Sequence, residues 1–144
     1  MAITRGARTI KTNMGGTTAA NKDKRFSVVI DGDIVRLKTW GELNLEDLDA
    51  PVNAALKQAQ THHIVKLLDD IREVDDTGTS IYIQAKAMGI LWKLRTFDKV
   101  AILMQSSTLS TMFFSTLQAL HLNGDSRFMG FENEAEALAW LHES

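Results

Sequence analysis

Two rhythms of apolar residues alternate along this chain, and together they predict its architecture. Phe26-Ser27-Val28-Val29-Ile30 and Ile34-Val35-Arg36-Leu37-Lys38-Thr39-Trp40 are β-branched, aromatic-rich runs separated by Asp31-Gly32-Asp33. In the second run Ile34, Arg36 and Lys38 alternate with Val35, Leu37 and Thr39, the period-two pattern of a strand with one wet face. Gly32 can adopt the positive φ that a tight link requires, so the two runs predict a β-hairpin. From Leu45 the rhythm changes: Leu45, Leu48, Val52, Ala55, Leu56 and Ala59 recur at helical spacing. Pro51 lacks a backbone donor and suits only the first turn of a helix, so 45–49 reads as a separate short turn.

The alternation continues to the end of the chain. His63-Ile64-Val65-Lys66-Leu67-Leu68 predicts a strand that ends in Asp69-Asp70 and gives way to a loop. Ile81, Ala85, Met88 and Trp92 repeat along one side of a second helix. Val100-Ala101-Ile102-Leu103-Met104 is continuously apolar, as a strand covered on both faces would be. Ser107 can cap a third helix, with Leu109, Met112, Phe113, Thr116, Leu117 and Leu120 on one side and Asn123-Gly124 at its end. Ser126 to Phe131 is short and strand-like, and Asn133-Glu134-Ala135-Glu136 forms a capping box for a last helix through Leu138 and Leu141. The order β-β-α-β-α-β-α-β-α predicts a single α/β domain over residues 26–144. It is a mostly parallel sheet of about five strands, with an N-terminal antiparallel hairpin and four helices.

Composition narrows what such a domain can do. The 144 residues include no cysteine, which excludes a disulfide framework, a thiolate zinc site, an iron–sulfur cluster and a cysteine nucleophile. No apolar run approaches the roughly 18 residues of a membrane-spanning helix. The start, Met-Ala-Ile-Thr-Arg-Gly, lacks the apolar middle of a secretory signal, so the cytoplasm is the expected compartment. A net charge of -2 gives no reason to expect a nucleic-acid partner, yet the charge is uneven. Residues 1–25 carry Arg5, Arg8, Lys11, Lys22, Lys24 and Arg25 against Asp23 alone, a net of +5 that leaves -7 on the rest. With three glycines, five threonines and little that is large and apolar, this stretch is expected to be a flexible basic leader.

Few motifs carry chemistry. There is no Gly-x-Ser-x-Gly elbow, no phosphate-binding Gly-x-x-x-x-Gly-Lys-Ser/Thr loop and no Gly-x-Gly-x-x-Gly after a strand. His62, His63, His121 and His142 are the only imidazoles, and none stands four residues from another as a helical metal pair would. No enzyme, metal or cofactor is therefore expected. The distinctive feature is acidic: Asp69, Asp70, Glu73, Asp75 and Asp76 fall at and beyond the carboxyl end of a strand, where open α/β sheets usually bind ligands. Thr77-Gly78-Thr79-Ser80 follows and leads into a helix, where hydroxyls serve as caps and a phosphoryl group would find unpaired N–H donors. Phosphate there would meet Asp75 and Asp76 and be repelled.

The large apolar residues give a second set of candidates. Trp40, Trp92, Trp140, Phe113 and Phe128 fall at periodic positions and read as core. Phe114 lies about 100° around its helix from Phe113, beside Ser110 and Gln118. Left exposed, it would mark a partner, a dimer contact or a lipid contact. Met88, Trp92, Met104, Met112, Phe113 and Phe114 are soft or aromatic side chains able to line a pocket for a small apolar or lipid ligand.

Trp40-Gly41-Glu42-Leu43-Asn44 followed by a helix resembles the opening motif of STAS domains, the fold of anti-sigma-factor antagonists. Ile64-Val65-Lys66-Leu67-Leu68-Asp69 is similar to that family's Val-Val-Leu-Asp-Leu strand, and Asp76-Thr77-Gly78 to its Asp-Ser-Ser-Gly signature. Phe131 to Leu141, ending Ala-Leu-Ala-Trp-Leu, looks like the SpoIIAA-like (STAS/SEC14-type) branch, and the likeness spans roughly residues 26–142. It implies a four- or five-strand sheet with helices on one side, no intrinsic enzymatic chemistry, and regulation through binding another protein. In the antagonists the hydroxyl before the signature glycine, here Thr77, is phosphorylated. This chain has Thr in place of Ser and lacks the doubled Ser, so regulation without that switch is expected. With a protein partner implied, the acidic, hydroxyl-rich loop at the helix start makes Asp69, Asp75, Asp76, Thr77, Gly78, Thr79 and Ser80 the expected contact surface. SEC14-type relatives supply the alternative, a carrier of an apolar or lipid molecule beneath the helices.

Overall fold

The computed structural model describes residues 25–42, 45–75, 81–105, 107–120 and 125–143. Nearly all of the basic leader, and Asn123-Gly124, lie outside these residues. The hairpin forms as the alternation predicts. β1 (Phe26–Asp31) runs antiparallel to β2 (Ile34–Glu42), from Phe26 opposite Thr39 to Asp31 opposite Ile34. Gly32 makes the turn at φ 60°, a conformation that side chains with a Cβ resist. A 3-10 turn (Leu45–Asp47) precedes α1 (Asp49–His62), so the segment ahead of Pro51 is separate and Pro51 sits in the first helical turn. His63 ends α1 in the left-handed region, its N–H bonded to Ala59 O.

β3 (Lys66–Asp75) runs five residues past Asp70, where a loop was expected. β2 offers it a partner as far as Glu42, which lies beside Asp75. An extra residue on β3 between Asp70 and Glu73 shifts the register there, and the Asp70 carboxylate accepts the Arg72 N–H at 3.1 Å. α2 (Ile81–Leu94), β4 (Lys99–Leu103), α3 (Ser107–Ala119), β5 (Phe128–Phe131) and α4 (Glu134–His142) complete the chain. Ser107 is the first residue of α3 rather than the cap before it. The strands order β1-β2-β3-β4-β5 in one sheet, parallel from β2 onward.

Helices cover both faces of the sheet, which corrects the one-sided arrangement that the resemblance implied. On one face Val35, Leu37, Leu67, Val100 and Ile102 pack with residues of α1, α2 and α3, among them Ala55, Leu91, Leu94 and Phe113. On the other, Ile34, Leu68, Ala101 and Leu103 pack under Ala137 and Leu141 of α4. The reason is visible in β4: its residues are buried to either side, so each face needs a cover. α4 is held by its ends as well as its apolar side. Asn133 caps it, accepting the Glu136 N–H at 3.0 Å. Glu134 accepts from Arg36 at 2.7 Å and Arg72 at 3.2 Å, and Lys99 donates to the carbonyls of Trp140 and Glu143 near its far end.

Leu141 is fully buried against the sheet. Truncating it should leave a cavity at the centre of the α4 face, so Leu141→Ala is expected to cost about 2–4 kcal/mol of stability by urea unfolding. A loss within experimental error would mean that α4 is not part of the cooperative fold.

Candidate functional site

β4 stops opposite Asp70, while β2 and β3 run on side by side, so the outermost carboxyl edge is built from β2 and β3. Glu42 and Asp75 lie side by side there, both exposed. Of the predicted partner-surface residues, Asp76, Thr77, Gly78, Thr79 and Ser80 lie outside the described residues. The remaining acids of the cluster do different work. Asp70 is clamped by Arg72, whose Nε and Nη2 donate to its two carboxylate oxygens at 2.9 and 2.8 Å. Burial works against ionisation of Asp70, but those bonds and the Arg72 charge outweigh it and hold its carboxyl below the usual range. Glu73 pairs with Lys38 at 2.7 Å. Among the described residues, no group of three or more His, Asp or Glu side chains could hold a metal ion.

Asp69 stands apart from the acidic edge. It lies between Leu37 of β2 and Ile102 of β4 in the register, both buried in the core beneath the helices. Its Oδ1 is buried and meets no hydrogen-bond donor. Burial, with a smaller contribution from the Asp70 charge, pushes its carboxyl up to about 7. An inward carboxyl that is partly protonated at neutral pH is unlike an exposed recognition residue. Its parity with Leu67 on the strand was the sequence signal for that inward aim. Arg36 and Arg72, which tie the sheet to Glu134, were not singled out in the sequence; each carries a charge in the middle of a strand, which asks for a partner across the sheet face.

The six apolar candidates do not converge. Met104 and Phe113 are buried in the core, while Phe114 is 57% exposed and tilted against Phe113 at 5.3 Å. Trp92, expected in the core, is 54% exposed with the Arg95 guanidinium 4.3 Å from its ring. The helix turned a different side inward: Ile83, Leu91 and Leu94 are buried, and the Ala85–Met88–Trp92 stripe is displaced from them around the axis. A recess of about 320 Å³ between α2 and α3 is lined by Gln84, Ser107, Thr108, Thr111, Met112 and Ser115, so only Met112 of the six borders it. No helix among the described residues is long and apolar enough to cross a membrane.

A five-strand sheet opened by an antiparallel pair, parallel thereafter and flanked by four helices, is the architecture of the SpoIIAA-like fold. Residues 34–142 match the SpoIIAA-like family, and the chain belongs to that family. Solved structures share the fold, among them the two that follow. An uncharacterized protein of the DUF3478 family from Shewanella loihica PV-4, which has a SpoIIAA-like fold, is 23% identical. That match covers 92% of this chain and 99% of the other, with a TM-score of 0.52. An anti-sigma factor antagonist from Mycobacterium paratuberculosis is 18% identical over 82% of this chain and 93% of its own, also at a TM-score of 0.52. No curated protein sequence matches the chain.

The Asp69 carboxyl makes a pH prediction with a definite sign. In the unfolded chain it ionises near 4, in the folded protein near 7, so the folded state holds the extra proton between these values. Its contribution to stability therefore falls as pH rises through that window, by about 2–4 kcal/mol, and is level above it. Asp69→Asn is expected to remove this component. The variant should gain stability relative to the wild type between pH 5 and pH 8 in paired urea titrations, and a constant difference between the two proteins would refute the assignment.

Proposed function

We propose that this chain is a non-enzymatic regulatory module that works by binding another protein, with a contact surface around Asp75 to Ser80. The observation that carries this reading is the edge itself. β3 brings Asp75 to the surface beside Glu42, immediately ahead of the hydroxyl-bearing segment that leads to α2. Family membership supports a protein partner, since an anti-sigma factor antagonist shares this fold. Among the described residues the one carboxyl raised into the neutral range, Asp69, is sheltered between Leu37 and Ile102, which supports a structural role for it over acid–base chemistry on a substrate. The carrier alternative has less support, because the residues expected to line its pocket are divided between core and surface.

The test begins with capture of the partner by the full chain from its own host and identification of the captured protein. Calorimetry with the purified partner then compares the wild type with the triple variant Asp76→Ala, Thr77→Ala, Ser80→Ala. At least a tenfold rise in Kd, equivalent to about 1.4 kcal/mol, is expected. An unchanged Kd with the fold intact by circular dichroism would reject this surface.

A further inference from the structure

α2 is apolar on two sides, and only one of them serves the fold. Ile83, Leu91 and Leu94 point into the core. On the solvent side Tyr82 is 71% exposed, Ala85 and Gly89 are exposed, Trp92 is exposed and Met88 is half-buried. Positions 82, 85, 89 and 92 follow one another at helical spacing, so they make a continuous stripe along the helix. The solvent side of a helix in a globular domain is ordinarily polar; this one is lined by a tyrosine, a tryptophan, a methionine and two small residues.

We propose that this stripe is the seat for an amphipathic α-helix of a protein partner whose flanks carry acidic residues. The inference rests on the reading of the chain as a protein-interaction module and assigns the partner's chemistry at a second surface. Gly89 argues for a helix as the occupant. A glycine inside a helix destabilises it relative to alanine. Here the missing Cβ relieves no contact with the described residues, none of which, the helix's own backbone aside, has an atom within 4 Å of where it would be. With Ala85 one turn earlier it forms a crease between Tyr82 and Trp92, and such a crease lets a second helix axis come close. A lipid surface gains nothing from it.

The charge around the stripe selects the flanks. Residues 81–95 contain Lys86, Lys93 and Arg95 and no acid. Lys86 and Lys93 both reach the Asp49 carboxylate, at 2.7 and 3.5 Å, and the 3-10 turn with Glu46 and Asp47 also packs against α2, while Lys86 and Lys93 keep part of their side chains exposed to solvent. Arg95 lies over Trp92 on the other side of the stripe. Two copies of this chain meeting through α2 would bring like charges together, and the cationic leader is repelled for the same reason. An acidic helix finds complementary charge on both sides and apolar contact between them.

The probes are two synthetic 18-residue helical peptides with the same leucine stripe, one flanked by glutamates and one by lysines, added to the full-length 15N-labelled chain. The glutamate peptide is expected to bind, shifting the Gly89 amide and the Trp92 indole resonances, with the lysine peptide at least tenfold weaker. Gly89→Leu fills the crease and replaces glycine by a better helix former. It should weaken binding at least tenfold while raising Tm by about 2 °C or more. Trp92→Ala should weaken binding as well. Equal binding of the two peptides, or binding that Gly89→Leu leaves unchanged, overturns the proposal. So does binding to phosphatidylglycerol vesicles that Trp92→Ala abolishes, or a dimer in sedimentation equilibrium that Gly89→Leu disperses. The triple alanine variant at 76, 77 and 80 should bind the glutamate peptide normally. If the captured partner loses affinity for that variant but not for Gly89→Leu, the inference about α2 fails while the proposed function stands.

Discussion

β3 and β4 lie inside the sheet and offer apolar side chains to both sides. Leu67, Val100 and Ile102 face α1, α2 and α3; Leu68, Ala101 and Leu103 face α4. Burying a pair of strands on two faces is the constraint from which the rest follows. A single layer of helices would leave the second set in water, at roughly 1.5–3 kcal/mol for each large side chain exposed. The chain therefore sends its last helix across the opposite face, and the polar residues around that helix make sense as its fixings. Glu134 receives two arginines from neighbouring strands, and Lys99 binds carbonyls near the far end. These bonds are partly exposed and contribute modestly one by one. Their geometry sets where α4 lies, and the leucines and alanines beneath it supply most of the energy.

The same layering explains why the acids of β3 divide as they do. Successive strand residues point to opposite faces, so Asp69 and Asp70 cannot share a fate. Asp70 faces the α4 side, where Arg72 and Arg36 with Glu134 already form a charged border. Asp69 faces the α1–α3 side, where its strand neighbours are Leu37 and Ile102. One carboxyl is held ionised and the other is driven toward its neutral form by surroundings a few ångströms apart. Beyond the extra residue between Asp70 and Glu73 the strand runs on to Asp75, so the acidic surface begins further along the chain than the first aspartate.

Much of this could be read from residue order. The hairpin around Gly32, the separate turn before Pro51, the Asn133 cap and the doubly covered β4 all follow from short-range chemistry: a positive φ, a missing donor, a side-chain acceptor, an unbroken apolar run. The end of β3 could not be read that way. Arg72, Glu73 and Asp75 look like a loop until Lys38, Trp40 and Glu42 of β2 provide a ladder for them. The candidate site was legible as a cluster of acids, while the assignment of each acid to core, clamp or edge was not.

α2 shows most clearly where sequence stops. Its residues specify a helix, and they specify that the helix is apolar around much of its circumference. They offer two apolar sides, and the large aliphatic side chains of Ile83, Leu91 and Leu94 compete with the bulk of Met88 and Trp92 for the inward place. That choice is made by contacts with residues far away in the chain: α1 and α3 on either side and the sheet below. Propensity, capping and period are properties of neighbours along the chain, and the sequence by itself determined the nine strands and helices and their order. Which faces are buried, which carboxyl loses its water and which tryptophan keeps it depend on packing between distant segments, and only the tertiary structure decided those.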